Sequence, residues 1–257
     1  MAEAARKMAR EIDRIDVNPR FAQHDAIRLN NMFRGTGTQD MLRVVLGEHV
    51  LGEAALVSSF GAESAALLHL VASVDRSVPV LFLDTGKHFP ETLAYRDALA
   101  ARLGLNLQIL YPDAEQIETR DATGLRWSYD PDGCCEIRKV LPLEKALARF
   151  DASITGRKAH QASTRNALPR FEIDGDRLKF NPLADWTRED IAAWFVEHDL
   201  PHHPLEAQGY LSIGCAPCTS VVKPGEDPRS GRWRGWEKTE CGIHMPVDDG
   251  DPNLPVF

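Results

Sequence analysis

Between residues 54 and 157 the chain alternates short apolar runs with stretches of helical period, and few folds accommodate that rhythm. AALVSSF (54–60), PVLFLDT (79–85) and LNLQILYP (105–112) are too short to be buried helices. ESAALLHLVASV (63–74) and ETLAYRDALAARL (91–103) lie between them with apolar residues at helical spacing. This pattern predicts an α/β fold: a mostly parallel, twisted sheet with crossover helices on both faces. A further helix is expected over 136–150, and ASITGR (152–157) returns to the sheet. FEIDGDRLKF (171–180) reads as a hairpin turning at Asp174-Gly175, and Thr187 caps a helix through Asp190. Two weakly amphipathic helical stretches, 22–33 and 38–48, precede the sheet. Beyond about residue 200 periodicity fades, and 219–257 reads as a loop-rich C-terminal segment attached to a body of residues 1–218.

Composition restricts the classes of function. The chain has 257 residues, 43% hydrophobic and 26% charged, as in ordinary globular proteins. No run approaches the roughly 18 apolar residues needed to span a bilayer. The N-terminal MAEAARKMAREIDRID has no apolar secretion core, so a cytoplasmic location is expected, with no membrane partner. A net charge of −8 argues against a nucleic-acid partner, whose backbone calls for a basic surface. Homo-oligomerisation is left open.

Two strand ends are suited to anions or nucleotides. SSFGAES (58–64) is a small-residue turn entering a helix, where backbone N–H groups and the helix dipole favour an anion. Ser58, Ser59 and Ser64 add hydroxyls, although steric need alone also explains such turns. LDTGKHFPET (83–92) places Asp84, Thr85 and Gly86 at the carboxyl edge of the sheet, where open α/β folds bind ligands. A capped turn beginning at Pro90 explains part of that run equally well.

The five cysteines fall as an adjacent pair, Cys134 and Cys135, a C-x-x-C, Cys215 and Cys218, and a lone Cys241. The C-x-x-C spacing suits tetrahedral zinc or iron–sulfur ligation. Adjacent ligands are awkward for a single ion and easier for a cluster; packing cysteines are the alternative. Lys139 follows Cys135 by one helical turn with Arg138 beside it, charges that would partly offset four thiolates and would be unremarkable on a solvated helix. Cys241 has Lys238 and His244 nearby, and neighbouring cations favour a reactive thiolate. Basic islands occur at Arg157, Lys158, Arg165 and Arg170, and at Arg229, Arg232, Arg234 and Lys238. Guanidinium forks suit phosphate and sulfate.

Six segments in order resemble the assimilatory reductases of adenylylsulfate (APS) and phosphoadenylylsulfate (PAPS). SSFGAES is similar to their pyrophosphate loop, LDTGKHFPET to their LDTG…FPET segment, and CCEIRKVLPL to their CC-x-x-RK-V-x-PL motif. ITGRKAHQASTR resembles their arginine loop, GCAPCT their second cysteine pair, and ECGIH their C-terminal motif. The resemblance implies an adenine-nucleotide α-hydrolase-like fold and a two-stage reaction. Cys241 would attack the sulfonyl sulfur and release AMP, and thioredoxin or a similar dithiol would then free sulfite. Cys134, Cys135, Cys215 and Cys218 would hold one 4Fe-4S cluster of electrostatic role, linked to the substrate by Lys139. Substrate contacts would come from Ser58, Ser59, Phe60, Gly61 and Ser64; from Asp84, Thr85 and Gly86; from Gly156, Arg157 and Arg165; and from Arg229, Arg232 and His244. The full cysteine set points to APS, with PAPS or dual use as the nearest alternative. RWRGWEK departs from the family's usual RWWWE, and KAHQAS departs within the arginine loop.

Two rivals come from other classes. An ATP pyrophosphatase-type enzyme shares the sheet, but SSFGAES lacks the paired glycines and Asp of an SGG-x-DS loop. A non-catalytic metal-binding or redox-sensing protein leaves Cys241 and the arginine islands without a purpose.

Overall fold

The computed structural model describes residues 20–159, 168–238 and 240–243. Helices α1 (Gln23–Met32) and α2 (Thr38–Gly47) precede the sheet. Strand β1 (Ala54–Val57) then leads to α3 (Ser64–Val74), β2 (Pro79–Leu83) to α4 (Pro90–Leu103), and β3 (Asn106–Leu110) to α5 (Ala114–Arg120). The expected runs begin within one residue of where predicted, and each strand stops two or three residues early, leaving its end as loop. Helix α3 is apolar almost all round because it is enclosed by α2, α4 and α8 (Arg188–Glu197). The predicted Thr187–Asp190 capping box opens α8.

The helix expected over 136–150 begins earlier and is not uniform. It comprises α6 (Pro131–Cys135), a π-helical turn (Glu136–Val140) and α7 (Leu141–Leu147). Pro142 has no N–H to return to the carbonyl of Arg138, and its ring crowds that turn, which gives a local cause for the widening. Asp130 caps the start by accepting from Gly133 N at 2.8 Å.

Strands β4 (Ala152–Thr155), β5 (Phe171–Asp174) and β6 (Arg177–Phe180) complete one six-stranded sheet of order β3-β2-β1-β4-β6-β5. All pairings are parallel except the β5–β6 hairpin, whose two-residue loop carries φ +61° at Gly175. From β1 the chain moves outward through β2 and β3, then returns to place β4 on the other side of β1. The carboxyl ends of β1 and β4 therefore form the switch point at which open sheets leave a crevice. The edge at β5 is covered by α1, where Asn30 donates to Phe171 O at 2.7 Å and accepts from Phe171 N at 3.1 Å.

Candidate active site

A cavity of about 260 Å³ opens over the switch point. One wall is the β1–α3 loop: Ser58, Ser59, Gly61, Glu63 and Ser64 line it. Ser58 Oγ accepts from Phe60 N at 3.2 Å, closing the turn. A Cβ on Gly61 would lie 3.3 Å from Ile213 O, so the approach needs a small residue. Phe60 does not line the cavity. It is fully buried with φ +50°, packed edge-on against Phe82, and its core contacts hold the loop in a strained backbone region.

The opposite wall follows β4. Gly156, Arg157 and Lys158 line it, and Arg157 pairs with Glu172. Lys158 is 3% exposed, with its Nζ 2.9 Å from Glu63 Oε2 across the crevice. In the sequence Lys158 is one of a basic run and Glu63 is part of the β1–α3 turn; reciprocal charges on two loops are invisible until the sheet brings them together. Arg170 points elsewhere, donating to Thr36 O at 2.7 Å and pairing with Asp185 at 2.7 Å. Arg165 and His244 lie outside the described residues.

Asp84, Thr85 and Gly86 are not part of the cavity lining. Asp84 Oδ1 accepts from Gly86 N at 3.0 Å, and fully buried Thr85 places Oγ1 3.2 Å from Cys215 Sγ. The same loop instead offers Leu83 and His88 to the cavity. Backbone pairing of His88 with Cys215, and Ala216 N donating to Lys87 O at 2.7 Å, hold the C-x-x-C turn against it.

Cys134, Cys135, Cys215 and Cys218 line one small second cavity, with Lys87, Arg138, Lys139 and Trp233 around them. Among the described residues its walls contain neither imidazole nor carboxylate. Among the described residues no three His, Cys, Asp or Glu groups converge as a single-ion site. Burial pushes Cys135 up to about 12 and raises Cys134 and Cys218 as well. Cys215 behaves oppositely: burial opposes its ionisation, but Lys139, the Thr85 hydroxyl and Arg232 outweigh burial and lower it. Burial likewise opposes the charge on Lys139, and Cys215, Cys241 and Cys135 reverse that and raise it.

Arg138 anchors this wall. It is 7% exposed, bonds Asp121 at 2.6 Å and donates to Thr85 O at 2.9 Å.

Residues 227–243 of the C-terminal segment contribute to the lining of the first cavity. Thr219 pairs with Arg232, and Trp233 N donates to Cys218 O at 3.1 Å. Arg229, Arg232 and Cys241 all line the cavity. Arg232 stacks on Trp233 at 4.4 Å, and burial lowers its pKa against the opposing charges of Cys215 and Cys241. Arg234, from the same basic island, turns out to Glu226 at 3.0 Å. Lys139 and Trp233 line both cavities, so Cys241 and the four other cysteines share a wall.

A phosphoadenosine phosphosulfate reductase domain matches residues 53–221. The chain belongs to this family. The match includes the first four cysteines and stops short of Arg229, Arg232 and Cys241. An adenosine 5′-phosphosulfate reductase of Chelativorans sp. is 58% identical over 196 residues, covering 76% of this chain and 80% of the relative. A phosphoadenosine 5′-phosphosulfate reductase of Gloeobacter violaceus is 46% identical, covering 74% and 81%. The phosphate complex of phosphoadenylyl-sulfate reductase from Candida auris superimposes with TM-score 0.67 at 25% identity, covering 79% of this chain and 98% of that one. A Candida glabrata FMN adenylyltransferase reaches TM-score 0.53 at 15% identity over 90% and 89% of the two chains, a likeness of fold alone. Among the described residues no helix is long and apolar enough to cross a membrane.

Proposed function

We propose that the protein reduces adenosine 5′-phosphosulfate to sulfite and AMP, with Cys241 as nucleophile and thioredoxin or a similar dithiol as reductant, in the cytoplasm. The observation that carries this reading is that Cys241 lines the switch-point cavity together with Lys139 and Arg232. Residues 1–218 form the nucleotide-binding body, and 219–257 bring the thiol to it.

The turn before α3 offers backbone N–H groups to the 5′-phosphate, and Arg157, Arg229 and Arg232 offer guanidinium donors to phosphate and sulfate oxygens. The Cys241 thiolate forms a bond to the sulfate sulfur as the bond from sulfur to the bridging oxygen breaks, and AMP leaves with that electron pair. The S-sulfonate on Cys241 is then attacked at Sγ by a thiolate of the dithiol. Sulfite departs, and the second thiol resolves the mixed disulfide and regenerates Cys241. Two electrons thus pass from the dithiol to sulfur.

Cys134, Cys135, Cys215 and Cys218 are the ligands we assign to a 4Fe-4S cluster. Four sulfurs around one cavity, two of them adjacent in sequence and none accompanied there by imidazole or carboxylate, fit such a group. When bound, the cluster supplies compact charge beside the substrate. Lys139, lining both cavities, is the residue that relates the two.

The Gloeobacter violaceus relative supports a second reading in which the 3′-phosphorylated nucleotide is also turned over. Adenylating chemistry has weaker support, because those neighbours share only the fold. The test is an anaerobic preparation, analysed for iron and acid-labile sulfide, then assayed for sulfite release from both sulfonucleotides with thioredoxin. We expect turnover of APS and at least a 1000-fold (order-of-magnitude) loss in Cys241→Ser. Turnover of neither nucleotide, or full sulfite release by the serine variant, would overturn the proposal.

A further inference from the structure

The segment bearing Cys241 meets the body at several points. Glu240 pairs with Arg229 at 3.3 Å, Gly242 with φ +88° lies against Val140, and Ile243 packs on the apolar cluster of Leu81, Leu83 and Leu143. Lys238 makes the least ordinary contact. A lysine head normally stays in water, yet the Lys238 side chain is 7% exposed, while its partner Asp132 is 81% exposed. The ammonium bonds Asp132 Oδ1 and lies 5.6 Å from the Trp233 ring centroid. Asp132 belongs to α6, the short helix that carries Cys134 and Cys135. A flexible side chain that exchanges hydration for one carboxylate and one ring face is oriented by them.

We propose that Asp132 is a positioning residue for Cys241. By fixing Lys238, it docks the thiol-bearing segment onto the helix of the adjacent cysteine pair, so that nucleophile and cysteine cavity move as one unit. Asp132 lines neither cavity. Its role rests on the reading of Cys241 as nucleophile. Because the carboxylate faces solvent, its hold is modest and sensitive to salt.

The experiment uses the full-length, anaerobically purified protein and measures alkylation of Cys241 by iodoacetamide, read by peptide mass spectrometry. At low ionic strength, with each rate referred to that variant's thiolate fraction, Asp132→Asn and Lys238→Gln should each speed alkylation about threefold. The double variant should react no faster than either single one, because both remove the same interaction. Raising salt to about 0.3 M should accelerate the unmodified protein more than the variants, which keep the Glu240–Arg229 pair and lack the one at Asp132. The exchanged pair, Asp132→Lys with Lys238→Asp, should restore slow alkylation. In sulfite assays kcat should fall with KM for APS unchanged. Unaltered alkylation in Asp132→Asn, additive single effects, or failure of the exchanged pair would overturn the positioning role. An active Cys241→Ser variant would remove the nucleophile reading and leave the alkylation result standing. An inactive Cys241→Ser variant beside unchanged alkylation in Asp132→Asn would remove the positioning role alone.

Discussion

Arg138 shows how one buried charge organises a site from behind. Asp121 is fully buried at its side chain and binds Arg138 at 2.6 Å, and the guanidinium also holds the carbonyl of Thr85, whose hydroxyl meets Cys215. Burial would raise the Asp121 carboxyl, but Arg138 and the Arg126 backbone N–H overcome it and hold it below the ordinary range. Removing one partner of such a pair strands the other. Asp121→Asn should therefore cost about 3 kcal/mol, read as a lowered urea midpoint. The depressed carboxyl implies that its contribution is present above the unfolded pKa of about 4 and is lost as acid protonates it below that. Thr85, expected at the nucleotide, turns its hydroxyl toward Cys215. The LDTG loop is legible at the carboxyl end of β2, but the direction of its side chains is not, because that depends on where the C-x-x-C turn docks.

Short connecting elements do much of the positioning. The C-terminal segment returns to the body through a close backbone approach in which a Cβ on Gly231 would lie 2.3 Å from Ser220 O. Neither carbonyl nor helix turn can yield cheaply there. Gly231→Ala should displace the neighbouring Arg229 and Arg232, raising KM for the sulfonucleotide about tenfold in steady-state assays, as expected when a charge-assisted contact is weakened. The π-helical turn Glu136–Val140 was likewise outside the reach of periodicity. Its 3.6-residue pattern reads as ordinary helix; only the consequence of Pro142 inside the run breaks it. That widened turn sits between the cysteine pair and α7, and it carries Arg138 and Lys139. The β1–α3 loop was legible as a strand-to-helix turn, but Phe60 was not legible as core, since its burial is completed by an edge-on contact with Phe82 on the neighbouring strand β2.

At the scale of the whole molecule, His203 ties the C-terminal third to the sheet layer. Its Nδ1 accepts from Leu205 N at 3.2 Å, so Nε2 carries the proton and donates to Thr92 Oγ1 at 3.1 Å in α4. Burial pushes its pKa down to about 4, against the opposing charge of Glu91. The unfolded chain then binds more protons than the folded one as pH drops from about 6.5 to about 4. Stability should be flat above that window and fall through it by up to about 3 kcal/mol, with little further loss from this residue below it. Thermal melts across pH should show the slope, and His203→Gln should flatten it.

The βα rhythm, the hairpin and the Thr187 cap were legible before any folding, because they follow from local periodicity, backbone preference and side-chain type. The tertiary structure decided everything that needed two distant segments to meet. It brought β1 and β4 together as the switch point, paired Glu63 with Lys158 across it, turned Thr85 toward Cys215, and gave the two cavities a common wall of Lys139 and Trp233. Proximity across more than a hundred residues is set by packing of the sheet, and nothing in the local pattern around Cys241 encodes it.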